Sequence, residues 1–308
     1  MVSSTTTHLD LELVTKHLDV NVDFSVGGKS GQATVHYMTA GASSKPTILL
    51  LHGFPSSSHQ FRDLLPMLAG DYHLVAPDLP CFGLTQVADD FVYSFESLTA
   101  VTTAFVETLK LKDMALYLFD YGAPVGFHIA KNNPENVRAI ITQNGNAYKD
   151  GLGQQFWGPL FKLWESNSQE MRDLIRSKVL TLPGIKSKYT GGVPDQDLSL
   201  IDPATWQLDY YQNIQFHEDR NLDLFYDYRN NVKKYPAFQK YFRDSQVPIL
   251  AVWGQNDISF IPPGAEAFRK DSPNAKIHFV DSGHFPLENK RWEIANLMKE
   301  WLATIGST

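Results

Sequence analysis

Six short apolar runs, separated by segments of mixed polarity, recur along the chain. The run at 114–119 shows no alternation of polar and apolar positions, which is typical of a strand buried on both faces of a parallel sheet. Segments between and after these runs are predicted to be helices, so strands alternate with helices. This order predicts a parallel sheet with helices on both faces. The predicted strands are 47–51, 73–76, 114–119, 138–143, 249–253 and 276–280, and the predicted helices are 94–111, 122–133 and 291–305.

Residues 11–39 follow a different pattern, in which polar and apolar side chains alternate around Val22 and Val35. Gly27 and Gly28 separate the two alternating stretches. Alternation with a glycine pair between predicts an antiparallel hairpin. Placed at the edge of the sheet, its two strands bring the predicted total to eight.

The alternation of strands and helices stops after residue 143. From residue 146 to 245 the chain is rich in aromatic and charged residues, has helical periodicity and shows no clear strand. We predict that this segment is a helical cap domain over the carboxyl edge of the sheet. Residues 1–145 and 246–308 would then form the core domain.

The charge, the cysteine count and the absence of targeting patterns disfavour several classes of partner and location. The 308 residues carry a formal net charge of −7 with no basic run, which disfavours nucleic acid and anionic membranes as partners. Cys81 is the single cysteine, which fits a reducing compartment. No secretory pattern occurs at residues 1–8, no targeting signal ends the chain, and no apolar run reaches the ~20 residues of a membrane span. We therefore expect a cytoplasmic protein that acts on a small molecule.

Polar residues follow the predicted strands at the edge where parallel sheets form their sites. Asp120 lies at a strand-to-helix junction followed by Gly122, the layout of a nucleophile elbow with Asp in the reactive position. Asp257 and His284 follow the last two strands. An acid, a second acid and a histidine in this chain order favour a catalytic triad over three unrelated residues.

These residues resemble those of the α/β-hydrolase fold, in the branch of epoxide hydrolases and haloalkane dehalogenases. The motifs that carry the resemblance are His52-Gly53-Phe54-Pro55, Asp78-Leu79-Pro80, Asp120-Tyr121-Gly122, Asn256-Asp257 and Gly283-His284-Phe285. The resemblance, from about residue 33 onward, implies that Asp120 is the nucleophile, Asp257 the orienting acid and His284 the base. It also implies an oxyanion hole formed by the Phe54 and Tyr121 amides, with a cis bond before Pro55.

The chemistry agrees with these roles. A carboxylate that attacks an sp³ carbon bearing a leaving group gives a stable ester. A histidine held by an acid can then activate water against that ester. No Gly-x-Ser-x-Gly motif is present, which argues against a serine esterase.

The leaving group separates the subfamilies. An epoxide oxygen needs a proton donor, and Tyr228 in Tyr228-Arg229-Asn230 resembles the second cap tyrosine of epoxide hydrolases. Tyr148, Tyr210 and Tyr211 are candidates for the first cap tyrosine. Trp157 is an equally reasonable pocket wall, so Trp157 and Tyr148 are our substrate-pocket candidates. The epoxide hydrolase is our first hypothesis.

Other hypotheses stay open. Haloalkane or haloacid dehalogenases share the first step, and fluoroacetate-type enzymes also carry His-Gly-Phe-Pro and an Asp-Tyr-Arg, here Asp227-Tyr228-Arg229. A small-molecule receptor and a repurposed biosynthetic enzyme use the same fold. No phosphate loop, His-Glu-x-x-His or cysteine-pair motif occurs, so we expect no cofactor and no metal. The resemblance leaves a homodimer open.

Overall fold

The computed structural model describes residues 12–305, and its strands form one sheet. Their order across the sheet is β1-β2-β4-β3-β6-β7-β8-β9, with β5 paired to β2. The sheet is parallel from β4 through β9, and β2 pairs antiparallel with each of its neighbours. The predicted eight strands are confirmed, and the two-residue strand β5 is added. The strands are β1 (Lys16–Val26), β2 (Lys29–Ala40), β3 (Thr47–Leu51), β4 (His73–Pro77), β5 (Gln86–Val87), β6 (Met114–Phe119), β7 (Val137–Gln143), β8 (Ile249–Gly254) and β9 (Lys276–Val280).

The amino-terminal hairpin forms as the alternation predicts. Strands β1 and β2 pair without interruption from Lys16 opposite Thr39 to Val26 opposite Lys29. Two glycines with positive φ angles, 57° and 78°, turn the chain between them. Glycine reaches this region at little steric cost, which is why a glycine pair suits a two-residue hairpin turn. Strand β1 is the edge of the sheet.

The parallel register aligns the ends of the central strands. Leu51 lies opposite Leu118, Phe119 opposite Gln143, and Gln143 opposite Val252. All residues of β3, β6 and β8 are buried, as expected for continuous apolar runs covered on both faces. The residues that follow β3, β6, β7 and β8 therefore meet at one edge of the sheet.

Helices cover the sheet in two groups, in which α1 contacts α11 and α2 contacts α3. This agrees with the predicted layers on opposite faces. The helices are α1 (Leu64–Leu68), α2 (Phe95–Thr108), α3 (Gly122–Asn132), α4 (Gln154–Ser166), α5 (Gln169–Lys178), α6 (Leu182–Thr190), α7 (Pro203–Asp209), α8 (Glu218–Ser245), α9 (Pro263–Ala267), α10 (Pro286–Asn289) and α11 (Arg291–Ala303).

The chain between β7 and β8 is a helical insertion that contains α4 to α8. Its longest member, α8, has 28 residues and thus extends for about 42 Å at ~1.5 Å per residue. Helix α8 contacts α2 and α3 of the core as well as α4 and α5 of the insertion. The helical insertion is as predicted from the loss of the strand pattern, and the division into two domains at residues 146 and 245 stays a prediction.

Two sequence predictions lie outside the described residues. They concern the segment 1–8, which lacks a secretory pattern, and the last three residues of the chain. Within residues 12–305, none of the helices has the length and apolar character needed to cross a membrane.

Candidate active site

Asp120 occupies the sharp turn between β6 and α3. Its φ is +46°, a left-handed conformation that residues other than Gly, Asn and Asp rarely adopt and that is often found at active sites. A Cβ on Gly122 would lie 2.3 Å from the carbonyl oxygen of Leu51, and one on Gly53 would lie 2.4 Å from the Cβ of Asp120. Both positions therefore require glycine, and the close approach predicted at Gly122 is confirmed.

Asp120, Asp257 and His284 meet at this edge of the sheet. His284 Nδ1 lies 2.7 Å from Asp257 Oδ2, and His284 Nε2 faces Asp120 Oδ2 at 3.6 Å. Two further groups hold the Asp257 carboxylate. The amide of Asn144 donates to Oδ2 at 2.8 Å, and the backbone N–H of Ser259 donates to Oδ1 at 2.7 Å. The structure thus brings all three predicted triad residues together, with a fixed acid and an imidazole directed at Asp120.

The charges of the triad favour an ion pair. Burial would lower the pKa of His284, but the carboxylates of Asp257 and Asp120 outweigh burial and raise it. Burial would likewise raise the pKa of Asp257, and the adjacent imidazole lowers it instead. Asp257 therefore stays ionised, and His284 is a stronger base than a histidine in water.

One of the two amides predicted to form an oxyanion hole contacts Asp120. The Phe54 backbone N–H donates to Asp120 Oδ1 at 2.7 Å, and the bond between Phe54 and Pro55 is cis, as predicted. Within residues 12–305, we find no hydrogen bond from the Tyr121 amide to the Asp120 side chain. Oδ1 of Asp120 is thus bound by this N–H, whereas Oδ2 faces His284 Nε2.

A family model described as alpha/beta hydrolase fold matches residues 46–290. The chain belongs to this family. The uncharacterised hydrolase YNR064C of Saccharomyces cerevisiae is 46% identical over 258 residues, which span 82% of this chain and 88% of that protein.

Two solved structures share the fold of this α/β hydrolase. The haloalkane dehalogenase DatA from Agrobacterium tumefaciens C58 superposes with a TM-score of 0.75 at 21% identity, covering 95% of this chain and 97% of DatA. The epoxide hydrolase CorEH superposes with a TM-score of 0.73 at 18% identity, covering 95% of this chain and 100% of CorEH. At these identities the two likenesses establish the fold.

Two tyrosines of α8 in this hydrolase lie close enough to Asp120 to be affected by its charge. The hydroxyls of Tyr228 and Tyr235 are 3.3 Å apart, and the Asn146 amide lies 3.4 Å from that of Tyr235. Burial raises the pKa of both phenols, and the charge of Asp120 raises it further. Both tyrosines are thus protonated at neutral pH, and each can donate a proton.

The other predicted cap tyrosines lie elsewhere, and the contacts of Tyr148 correct our expectation for it. Its hydroxyl donates to Asp271 Oδ2 at 2.8 Å, and its ring packs against Phe268. Its hydroxyl is therefore not available as a donor at Asp120, and its place in the substrate pocket stays a prediction. Tyr211 is 59% exposed and pairs with the ring of Tyr210, so neither fills the role of the first cap tyrosine.

Trp157 packs against Tyr228, and its role as a pocket wall stays a prediction. Its ring lies 4.6 Å from that of Tyr228. Its indole N–H is already used, because it donates to the carbonyl oxygen of Ser259 at 2.8 Å. The indole of Trp164 donates in the same way to the carbonyl of Phe225, also at 2.8 Å.

Other polar residues at the strand ends support the loops. His52 accepts a hydrogen bond from the Leu79 N–H at 2.9 Å. Asp78 accepts two backbone N–H bonds, both within 2.8 Å. The two terminal nitrogens of Arg62 donate to the carboxylate oxygens of Glu288 at 3.1 and 2.7 Å. This ion pair fixes the segment after His284. Burial raises the pKa of Cys81 to about 12, in keeping with a structural thiol.

Three residues near the triad were not predicted from the sequence. Asn144 had the same signal as the triad, a polar residue directly after a buried strand. Tyr235 lies seven residues after Tyr228, the spacing of one helix face, which gave a usable signal. Lys188 of α6 donates to the Ser259 hydroxyl at 2.7 Å, and nothing in the sequence distinguishes it from other lysines.

Proposed function

We propose that this hydrolase opens epoxides of small apolar molecules to vicinal diols through a covalent ester on Asp120. The observation that carries the proposal is the pair of buried hydroxyls on Tyr228 and Tyr235 beside the nucleophile. An epoxide oxygen leaves as an alkoxide and needs an acid, which a protonated phenol supplies. A halide leaves without a proton, so it needs hydrogen-bond donors but no acid.

In the first step Asp120 Oδ2 attacks one carbon of the epoxide. The carbon–oxygen bond breaks, and the leaving oxygen takes the proton of Tyr228. Tyr235 lies at hydrogen-bonding distance from Tyr228, so it can stabilise the resulting phenolate. The product of this step is a hydroxyalkyl ester of Asp120.

In the second step His284 removes a proton from water, which adds to the ester carbonyl. The negative charge develops on Oδ1, where the Phe54 N–H already donates at 2.7 Å. Collapse expels the diol, which takes the proton from His284. Hydrolysis leaves Asp120 as a carboxylic acid, and its proton returns to the phenolate of Tyr228. The cycle therefore consumes one epoxide and one water.

Two observations weigh against carbon–halogen substrates. The indole N–H groups of Trp157 and Trp164 are donated to backbone carbonyls, so neither is free to hold a halide. Arg229 of the Asp-Tyr-Arg motif stacks on Tyr226 at 3.3 Å and donates to its carbonyl oxygen. It therefore has partners of its own, which removes the best reason for a haloacid substrate.

The test traps the ester. A His284→Gln variant keeps the nucleophile but loses the base, so the ester should accumulate and appear in an intact-protein mass spectrum. The variant would be incubated separately with styrene oxide, 1-bromobutane and chloroacetate. We expect a substrate-sized adduct from the epoxide, and none when Asp120→Asn is added.

The remaining outcomes are equally informative. An adduct from a halide but not from the epoxide would replace the proposal with a dehalogenase. No adduct from any of the three, with the circular dichroism of the folded protein retained, would contradict the covalent mechanism. That result would favour a receptor for small molecules.

A further inference from the structure

A lysine of the insertion reaches the triad. Lys188 on α6 places its ammonium 2.7 Å from the Ser259 hydroxyl and 3.3 Å from the centre of the Phe156 ring. The backbone N–H of Ser259 in turn donates to Asp257 at 2.7 Å. A single residue therefore separates this cation from the acid of the triad.

The position of this lysine is fixed relative to the histidine loop. On α6, the ring of Tyr189 stacks on Phe285 at 4.1 Å, directly beside His284. Just after α6, the carbonyl of Gly192 accepts a hydrogen bond of 2.8 Å from Asn256. The contacts that position Lys188 are thus the same ones that pack the insertion against the loops carrying Asp257 and His284.

The ammonium is not neutralised by a close partner. Among residues 12–305, no carboxylate lies within 4.0 Å of Lys188 Nζ, whereas Lys290 pairs with Asp197 at 2.7 Å. Burial lowers the pKa of Lys188 to about 8, and the charges of Asp257 and Asp120 act in the opposite direction. At neutral pH the side chain is therefore mainly a cation, with donors left over after Ser259 and Phe156.

The surroundings of the cation are aromatic. Phe156 lies 6.5 Å from Phe225, and Phe225 lies 4.9 Å from Phe54, whose amide binds Asp120. An apolar molecule against these rings could present one end to Asp120 and the other to Lys188. The two carboxylates of the triad would repel an anionic ligand, and Lys188 is positioned to offset that repulsion.

We propose that Lys188 is a specificity-determining residue that binds a carboxylate of the substrate. This inference rests on the proposed function. Taken together, they indicate a substrate with an epoxide, an apolar body and a carboxylate distant from the epoxide ring. The alternative is a lysine that only balances the charge of the triad, which would not discriminate between ligands by their charge.

Binding tests the inference without turnover. Isothermal titration calorimetry would compare phenylacetate with phenylacetamide, which differ in charge but little in shape. At pH 7 we expect wild type to bind the carboxylate about tenfold more tightly, since a charge-assisted hydrogen bond contributes at least that much. Lys188→Met should abolish the preference. Lys186→Met is the matched control, because Lys186 is exposed on the same helix and should leave the preference intact.

A pH series on wild type adds a test that needs no variant. The preference for phenylacetate should fall as pH rises through about 8, because Lys188 loses its proton there. The charges of His284, Asp120 and Asp257 also influence the binding of an anion near Lys188, and this influence would persist in Lys188→Met. The slope that disappears in the variant therefore belongs to Lys188.

The failures are distinguishable. The inference about Lys188 would be overturned if wild type does not bind phenylacetate, or if the preference survives in Lys188→Met. Neither result would affect the interpretation of an epoxide adduct on Asp120. Conversely, the absence of that adduct would overturn the epoxide reaction without affecting the calorimetry. If both hold, 4-carboxystyrene oxide should be turned over with a kcat/KM about tenfold above that of styrene oxide, through a lower KM.

Discussion

Removing the hydroxyls of Tyr228 and Tyr235 should slow epoxide opening selectively. Tyr228 is fully buried, and within the described chain its hydroxyl has one side-chain partner, Tyr235, at 3.3 Å. A Tyr228→Phe substitution therefore deletes one neutral hydrogen bond, worth about 0.5–1.5 kcal/mol of stability. The protein should stay folded.

The kinetic effect should be much larger than the effect on stability. A positioned general acid contributes about 10²–10⁴ in rate, or about 2.7–5.4 kcal/mol of barrier. Tyr235 can partly replace Tyr228, so we expect a loss of about 10² for Tyr228→Phe. The double variant Tyr228→Phe/Tyr235→Phe should approach a loss of about 10⁴. The two losses should not simply add, because the hydroxyls act as one unit.

The assay measures adduct formation on Asp120 in the His284→Gln background, by quenching the reaction with styrene oxide and recording intact mass against time. Tyr241→Phe is the control, since it removes a buried hydroxyl from the same helix. If the folded double variant forms the adduct at more than about a tenth of the parent rate, the tyrosine pair is not the acid and our reasoning fails.

Three further predictions concern the groups around the triad. Because the pKa of His284 is raised, the free base is lost as pH falls through that value, so hydrolysis of the isolated Asp120 ester should slow on the acid side. A pH-independent single-turnover rate would contradict this. Burial raises the pKa of Asp209 well above its usual value, so stability is lost as pH rises from the unfolded pKa towards the folded one. The Asp209→Asn variant does not have this loss. The difference in melting temperature between the variant and wild type should therefore increase in favour of the variant from pH 4.5 to pH 8. A difference that stays constant over this range would show that Asp209 is ionised in the folded protein. Asn144→Ala leaves the buried Gly254 N–H without its acceptor and removes one of the two donors to Asp257 Oδ2, the other being His284. Urea unfolding should therefore show a cost of about 1–3 kcal/mol, and kcat should fall. Unchanged values would mean that water replaces the amide.

The sequence by itself determined the sheet and the triad. The apolar runs predicted the strands at 47–51, 114–119 and 276–280 with the same bounds as the structure. At 47–51 and 114–119, burial on both faces of a parallel sheet removes the alternation of polarity, and that pattern is local to each run. Parallel strands also bring their carboxyl ends to one edge, so Asp120, Asp257 and His284 could be grouped before any coordinates were known.

Only the tertiary structure decided the rest of the site. Tyr148 and Tyr235 are both buried aromatic residues of the insertion, yet the hydroxyl of Tyr148 donates to Asp271 and that of Tyr235 lies 3.3 Å from the hydroxyl of Tyr228. Likewise, the indole N–H of Trp157 donates to a backbone carbonyl, and Lys188 donates to the Ser259 hydroxyl. Helical periodicity defines which face of a helix is buried, but the partner of each polar atom depends on how the helices cross the sheet. That packing joins residues far apart in the chain, and no local pattern encodes it.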